Sequence, residues 1–310
     1  MNRAPVLTMT ALAALAVALV GCGRLGANRD RDEISRLLAS SGYTSEDQDR
    51  AYGATDSTLQ PGGAGDVGDV GQWIPFVRFR RYVPRGGVSR NYDVQIPAYP
   101  GYPDTTALVT LTATVTGELR TMFDTTGNPI LVWRKPFSDE AVRRVYLTKD
   151  GSGWHVRRVT ALEFRTLDAP YTLRVDSVRA AATSGEVFVL CDPDSLLAKD
   201  DLPTFLPNDT VTVTVWASTT GDSCWAFLHH GRSQWPYRWR SPFLRLITMQ
   251  FERRWLVGDE AYDRPEVRAS AIDVIGWGSL LADTTQPYVS AAWGIPYVVK
   301  HTNEQMPGDE

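Results

Sequence analysis

The clearest alternation of apolar and polar positions in the chain is "LVTLTATVTGEL", residues 108–119. Val109, Leu111, Ala113, Val115 and Leu119 share one parity, and Thr110, Thr112, Thr114 and Thr116 share the other. Side chains on a strand point to alternate faces, so this stretch predicts a half-buried antiparallel strand. Residues 141–164, "AVRRVYLTKDGSGWHVRRVTALEF", predict a hairpin turning at Asp150–Gly153. On its second strand Trp154 and Val156 take one face and His155 and Arg157 the other. Upstream the period changes. "DRDEISRLLASSG" places Ile34, Leu37 and Leu38 at helical spacing and predicts a helix capped by Asp30. "YTSEDQDRAYG" predicts a second short helix, with Thr44 and Asp47 at capping-box spacing. Residues 53–71 are dominated by Gly, Asp and Pro and read as a loop or linker.

A boundary falls at "LDAPYT", residues 167–172. Beyond it the strands are short and separated by turn signals: "YTLRVDSVR", "GEVFVLC", "DTVTVTVWAS", "DSCWAFLHH", "FLRLITMQFERRW", "PEVRASAIDVIGW" and "IPYVVK". In the third, Val211, Val213 and Val215 share a face after a turn at Asp209 and Thr210. About seven strands over roughly 130 residues predict a β-sandwich.

Helices followed by long antiparallel strands and a closing "GSGWHVRRVTALE" hairpin resemble the NTF2-like α+β cone fold over residues 30–167. The strand-rich remainder resembles the Ig-like modules of bacterial surface lipoproteins in architecture, without the antibody Cys…Trp…Cys pattern. The expected fold is therefore two domains, an NTF2-like α+β domain over 30–167 and an all-β Ig-like sandwich over 168–301. A disordered tail over 302–310 completes it. No motif matches an NTF2-like enzyme residue by residue, so no acid/base set carries over. The resemblance implies a pocket between helix and sheet, with Trp73, Phe79, Trp133, Tyr146 and Trp154 as candidate lining. Plain core packing is the alternative for these five.

The amino terminus sets the compartment. Arg3 precedes "ALAALAVALV", residues 11–20, an apolar run too short to span a bilayer core of about 30 Å. It runs into "LVGC", residues 19–22, which resembles the lipobox of bacterial lipoproteins. The resemblance implies a signal peptide over 1–21, cleavage before Cys22, lipid attachment at Cys22 and a tether over 22–29. One acyl chain holds a protein to a membrane only marginally, whereas two or three anchor it stably. Gly23 rather than Asp after the cysteine implies the outer membrane, on its periplasmic or surface face.

Charge and composition narrow the partners. The formal net charge of −4, with export, argues against nucleic acid. Only four of the 32 basic residues are lysine, which fits GC-rich coding or, locally, arginine chosen for stacking and bidentate contacts. Outside the cytoplasm Cys191 and Cys224 are a possible disulfide, with two buried free thiols as the alternative.

Candidate chemistry is sparse. His229 and His230 are adjacent, so on a strand they face opposite sides and do not chelate one ion easily. No HExxH, CxxC or zinc-ribbon spacing is present, so no metal and no cofactor is expected. "GSG" at 151–153 is a hairpin turn rather than a nucleophile elbow, and no P-loop or GxGxxG occurs. Asp192, Asp194, Asp200 and Asp201 offer a weak calcium alternative to a solvated loop. "GDEAYDRPE", residues 258–266, lacks EF-hand spacing. The remaining signal is "GRSQWPYRWRSPF", where Arg232, Trp235, Tyr237, Arg238, Trp239 and Arg240 form a candidate binding surface of hot-spot residue types. Arginines stacked over indoles at a sheet edge are the structural alternative. The expectation is thus a lipid-anchored envelope protein that binds a partner protein or glycan without catalysis. The alternative is a small-molecule carrier or enzyme using an NTF2-like pocket.

Overall fold

The computed structural model describes residues 28–44, 78–123, 131–221, 223–231, 238–258, 264–281 and 285–308. Helix α1 spans residues 28–40 and is the one helix longer than a single turn among them. The first strands are β1 (Arg78–Tyr82), β2 (Val88–Gln95), β3 (Thr106–Phe123), β4 (Leu131–Asp150), β5 (Gly153–Val159) and β6 (Leu162–Thr166). Then come β7 (Leu173–Ala182), β8 (Val187–Leu190), β9 (Leu197–Ala198), β10 (Thr204–Phe205), β11 (Thr210–Thr219) and β12 (Cys224–Gly231). The last are β13 (Arg238–Pro242), β14 (Leu244–Ile247), β15 (Gln250–Leu256), β16 (Glu266–Gly276), the one-turn helix α2 (Trp277–Leu280) and β17 (Ser290–Val299).

These strands form two sheets. The first runs β1-β3-β4-β6-β17-β16-β12-β13, with β2, β5, β9 and β10 attached to its side. Among the described residues, only the short β10–β17 pairing is parallel. The second sheet runs β14-β15-β11-β7-β8. The expected division at residue 167 therefore cuts through a single sheet: β6 pairs with β17, Trp293 opposite Glu163. The expected α+β cone followed by a separate Ig-like sandwich is overturned by this topology. The chain is mostly β, and one large curled antiparallel sheet takes strands from both halves.

Alternation explains the curl. Among the described side chains, the odd positions of β3 and β4 face the concave side. Leu111, Ala113, Val115, Leu119, Phe137 and Ala141 there join Phe164, Trp225, Phe227 and Ile275 in one buried cluster. Further along the same face, Ala107, Val109, Val145 and Leu147 join Trp154, Val156 and the apolar side of α1. Ile34 and Leu38 of α1 are fully buried in that second cluster, so the helix plugs one end of the curled sheet. The helix stops at Ser41 and Gly42. A Cβ at Gly42 would lie 3.2 Å from Val267 Cβ, so the small residue lets the chain pass β16 closely.

The opposite faces of β12, β16 and β17 carry Ala226, Leu228, Ile272, Val274, Trp293 and Ile295. They pack against Val175, Val178, Val211, Val213, Val215, Phe251 and Trp255 of the second sheet. This is a two-layer β arrangement, and it leaves β17 buried at all ten positions. That is why "SAAWGIPYVV" has no polar alternation: a strand covered on both faces reads as a continuous apolar run.

The two ends of the large sheet meet without strand pairing. Register carries Ser241 of β13 through Leu228, Ile272, Trp293, Glu163 and Val142 to Thr112 of β3. Yet the neighbouring Arg240 touches Phe79 of β1, which pairs with Thr121, nine residues further along β3. Such a stagger is what a tilted, barrel-like closure requires.

Several expectations are corrected locally. Asp30 lies inside α1 rather than capping it, and its carboxylate accepts hydrogen bonds from Lys149 Nζ and Trp154 Nε1. Residues 302–308 are not a free tail, because the Tyr43 hydroxyl donates to Pro307 O at 2.9 Å. Of the second helix expected over 43–53, only Tyr43 and Thr44 lie within the described residues, and they form a turn.

Candidate functional site

Four strands bring ionisable side chains to the interior where the sheet closes. Arg81 of β1, Asp139 of β4, His229 of β12 and Asp273 of β16 all sit on concave-facing positions and are 2% exposed or less. Arg81 and Asp273 form a bidentate pair, NH1 to Oδ2 at 2.6 Å and NH2 to Oδ1 at 2.8 Å. His229 Nε2 lies 3.0 Å from Asp273 Oδ2. An ionised carboxylate only accepts, so this nitrogen carries the proton. The Ser290 hydroxyl donates to Asp273 Oδ1 at 3.1 Å. Each carboxylate oxygen thus accepts two hydrogen bonds, which fills its lone-pair sites.

The network extends through a tyrosine. Arg81 Nε donates to the Tyr288 hydroxyl at 2.7 Å, and that hydroxyl donates to Asp139 Oδ2 at 2.8 Å. The Thr166 hydroxyl donates to Asp139 Oδ1 at 2.9 Å. Burial alone would raise the Asp273 carboxyl. The Arg81 charge, with hydrogen bonds from His229 and Arg81, outweighs burial and holds it well below the usual carboxylate range. Beside this cluster Arg240, 4% exposed, donates to Phe79 O and stacks with its Cζ 3.6 Å from the Phe79 ring centroid. That contact ties β13 to β1.

A His–Asp pair is half of a general-base arrangement. Here the Asp is saturated by Arg81 and Ser290, and both members are almost fully buried. The arrangement joins β1, β4, β6, β12, β16 and β17 through seven side chains, six on the strands and Tyr288 just before β17. Its chemistry is that of a closed ion-pair network, in which loss of one partner strands the other charge.

A second constellation lies at the β4–β5 turn. The Ser152 hydroxyl donates to Asp150 Oδ1 at 2.6 Å and lies 2.9 Å from His155 Nε2. His155 Nε2 is also 3.1 Å from the same Asp150 oxygen. In a hydrolytic triad the carboxylate holds one ring nitrogen and the hydroxyl the other. Here both contact the same nitrogen and the serine proton points to the carboxylate, so the group is a capped turn. Hydrogen bonds from the Ser152 hydroxyl and backbone pull the exposed Asp150 carboxyl down to about 2.

The expected binding surface is only partly within view. Residues 232–237, including Arg232, Trp235 and Tyr237, lie outside the described residues, as do the side chains of Arg238 and Trp239. Arg240 is corrected from surface to core. The adjacent histidines do face opposite sides: His229 enters the ion-pair network, and His230 lies 5.4 Å from the Trp255 ring of the second sheet. The possible Cys191–Cys224 disulfide is absent, since both are free thiols, Cys191 exposed and Cys224 buried beside Met249. Burial pushes the Cys224 thiol up to about 12. Within the acidic stretch, Asp192 accepts from Asp194 N and Ser195 Oγ, and Asp194 pairs with Arg144 at 2.8 Å. No group of three or more His, Cys, Asp or Glu that could hold a metal ion occurs among the described residues. The candidate pocket lining is brought together only in part. Phe79 and Trp133 pack in one core cluster and Trp154 in another, and Tyr146 takes the opposite parity to Val145 and Leu147. Trp73 lies outside the described residues.

Searches against protein-family models, curated proteins and solved structures find no match. The network went unseen in the sequence because its members are spread from residue 81 to 290. The available signal was a charge at an apolar parity, as with Asp273 inside "SAIDVIGW".

Proposed function

We propose that this chain is a lipid-anchored protein of the bacterial cell envelope that works as a non-enzymatic binding or structural module. The observation that carries this reading is "LVGC" at residues 19–22, which closes a ten-residue apolar run over 11–20. No helix among the described residues is long and apolar enough to cross a membrane. The interior arrangement supports the non-catalytic part. Its His–Asp pair is consumed in holding strands together, with His229 2% and Asp273 0% exposed. The hydroxyl–imidazole contact at Ser152 and His155 is a turn cap by its geometry.

Within this reading the contact surface is the aromatic–arginine segment at Arg232, Trp235, Tyr237, Arg238 and Trp239, and its partner is an envelope protein or glycan. The test is affinity purification of the full-length protein from detergent-solubilised envelopes, beside a Cys22→Ala version and a Trp235→Ala/Trp239→Ala version. A stoichiometric partner recovered with the acylated protein and lost with the double tryptophan variant is the expected result. A partner retained by that variant removes the segment from the proposal. Turnover of a small molecule by the purified protein, abolished by His229→Gln in a folded variant, would overturn the non-catalytic reading.

A further inference from the structure

One end of the curled sheet gathers three features close together. The first is the start of α1: Asp30 is held by Lys149 and Trp154, and Glu33 lies against Gly153. The second is the β4–β5 turn itself. The third is the loop between β2 and β3, residues 96–105, whose Thr105 O accepts from Lys149 N at 2.7 Å.

That loop reads "IPAYPGYPDT". Pro97, Pro100 and Pro103 fix three backbone angles. Ala98 is buried, and its N–H donates to Thr106 Oγ1 at 3.2 Å, pinning the loop to β3. Against that frame Tyr99 and Tyr102 stand 39% and 50% exposed, edge to face at 5.3 Å between centroids. Rigid tyrosines with an apolar ring and a polar tip suit the boundary between hydrocarbon and water.

Chain length says what covers them. Five residues, 23–27, separate Cys22 from the first residue of α1. Even fully extended, that connection reaches only about 20 Å. The far end of the sheet, at Met122 and Val132, lies sixteen residues along β3 from Thr106, or about 50 Å. An anchor at Cys22 therefore brings the end with the tyrosine loop to the bilayer and leaves the other end remote.

We infer that Tyr99 and Tyr102 form a second, interfacial contact with the phospholipid surface, so that the molecule stands on this end with β3 and β4 leading away from the membrane. The inference rests on acylation at Cys22. Arg29 and Arg31, both exposed, lie on the first turn of α1 at this same end. Asp32, Asp104 and Asp150 share that end, so the contact is aromatic rather than polybasic.

The test uses full-length acylated protein in phosphatidylethanolamine/phosphatidylglycerol vesicles containing spin-labelled lipid. A fluorophore is placed at Asp104→Cys or at Val132→Cys in a Cys191→Ser background. Cys224 is buried and its thiol stays protonated, so it does not compete. Strong quenching at 104 and none at 132 is expected, with most of the quenching at 104 lost in Tyr99→Ser/Tyr102→Ser. Acylated, vesicle-bound protein with equal signals at the two positions overturns the inference and leaves the lipoprotein reading standing. So does quenching at 104 that survives the double serine variant, as far as the tyrosines are concerned. Protein that carries no acyl group and does not bind vesicles overturns the lipoprotein reading, and this inference with it.

Discussion

At the scale of single residues, Asp273 concentrates the energetics of the interior. It is completely buried, it neutralises Arg81, and it accepts four hydrogen bonds from three side chains. Removing one partner of a buried pair leaves an uncompensated charge and costs about 3–5 kcal/mol, whereas replacing both by apolar groups of similar volume is often neutral. Asp273→Ala should therefore lower the unfolding free energy by that amount. Arg81→Met/Asp273→Leu should lose clearly less, and urea unfolding of both variants checks the difference. The same residue gives a pH dependence. Its folded-state pKa lies below that of an unfolded aspartate, about 3.9. Its contribution is then fully present above pH ~4 and is lost as pH falls through the lower folded value. The stability gap between the native protein and Asp273→Asn should be flat from about pH 5 to 7 and shrink below about pH 4. A gap that widens on acidification would contradict the ion-pair assignment.

At the scale of elements, α1 is the piece whose role depends most on tertiary packing. A helix of this length is marginal in isolation, so its stability comes from the buried face. Leu38→Ala should cost about 2–5 kcal/mol by opening a cavity among Val109, Val145 and Trp154. Amide exchange in residues 30–40 should accelerate with it, since the helix would separate from the sheet more often. Much at this scale was legible in the sequence. Threonine alternation in 108–119 and helical spacing at Ile34, Leu37 and Leu38 both mark elements that are present, because a half-buried strand and an amphipathic helix print their period on the chain. What was not legible is which strands pair. Glu163 opposite Trp293 and Asp139 beside Tyr288 join positions more than a hundred residues apart. Nothing in local patterning specifies such contacts, and the turn signals after residue 167 read equally well as a new domain.

At the scale of the molecule, the shared strand β17 couples the two halves. It pairs with β16 on one side and with β6 and β10 on the other, and both its faces are buried. A chain ending at Leu167 keeps α1 and β1–β6 but loses β16, β17 and Asp273, so it should fail to fold. Circular dichroism and proteolysis of that fragment would show it, and a stable fragment would mean the amino-terminal half is autonomous after all. Such a one-piece body, with a short connection to Cys22 at one end, suits a protein held at a surface by its amino terminus. The most direct test of that account is the mass of the amino-terminal peptide of the mature protein taken from a membrane fraction. The account predicts a peptide that begins at Cys22 and carries acyl chains, together with loss of membrane association in Cys22→Ala. An unmodified amino terminus elsewhere, or a Cys22→Ala protein that stays equally with the membrane, would contradict it.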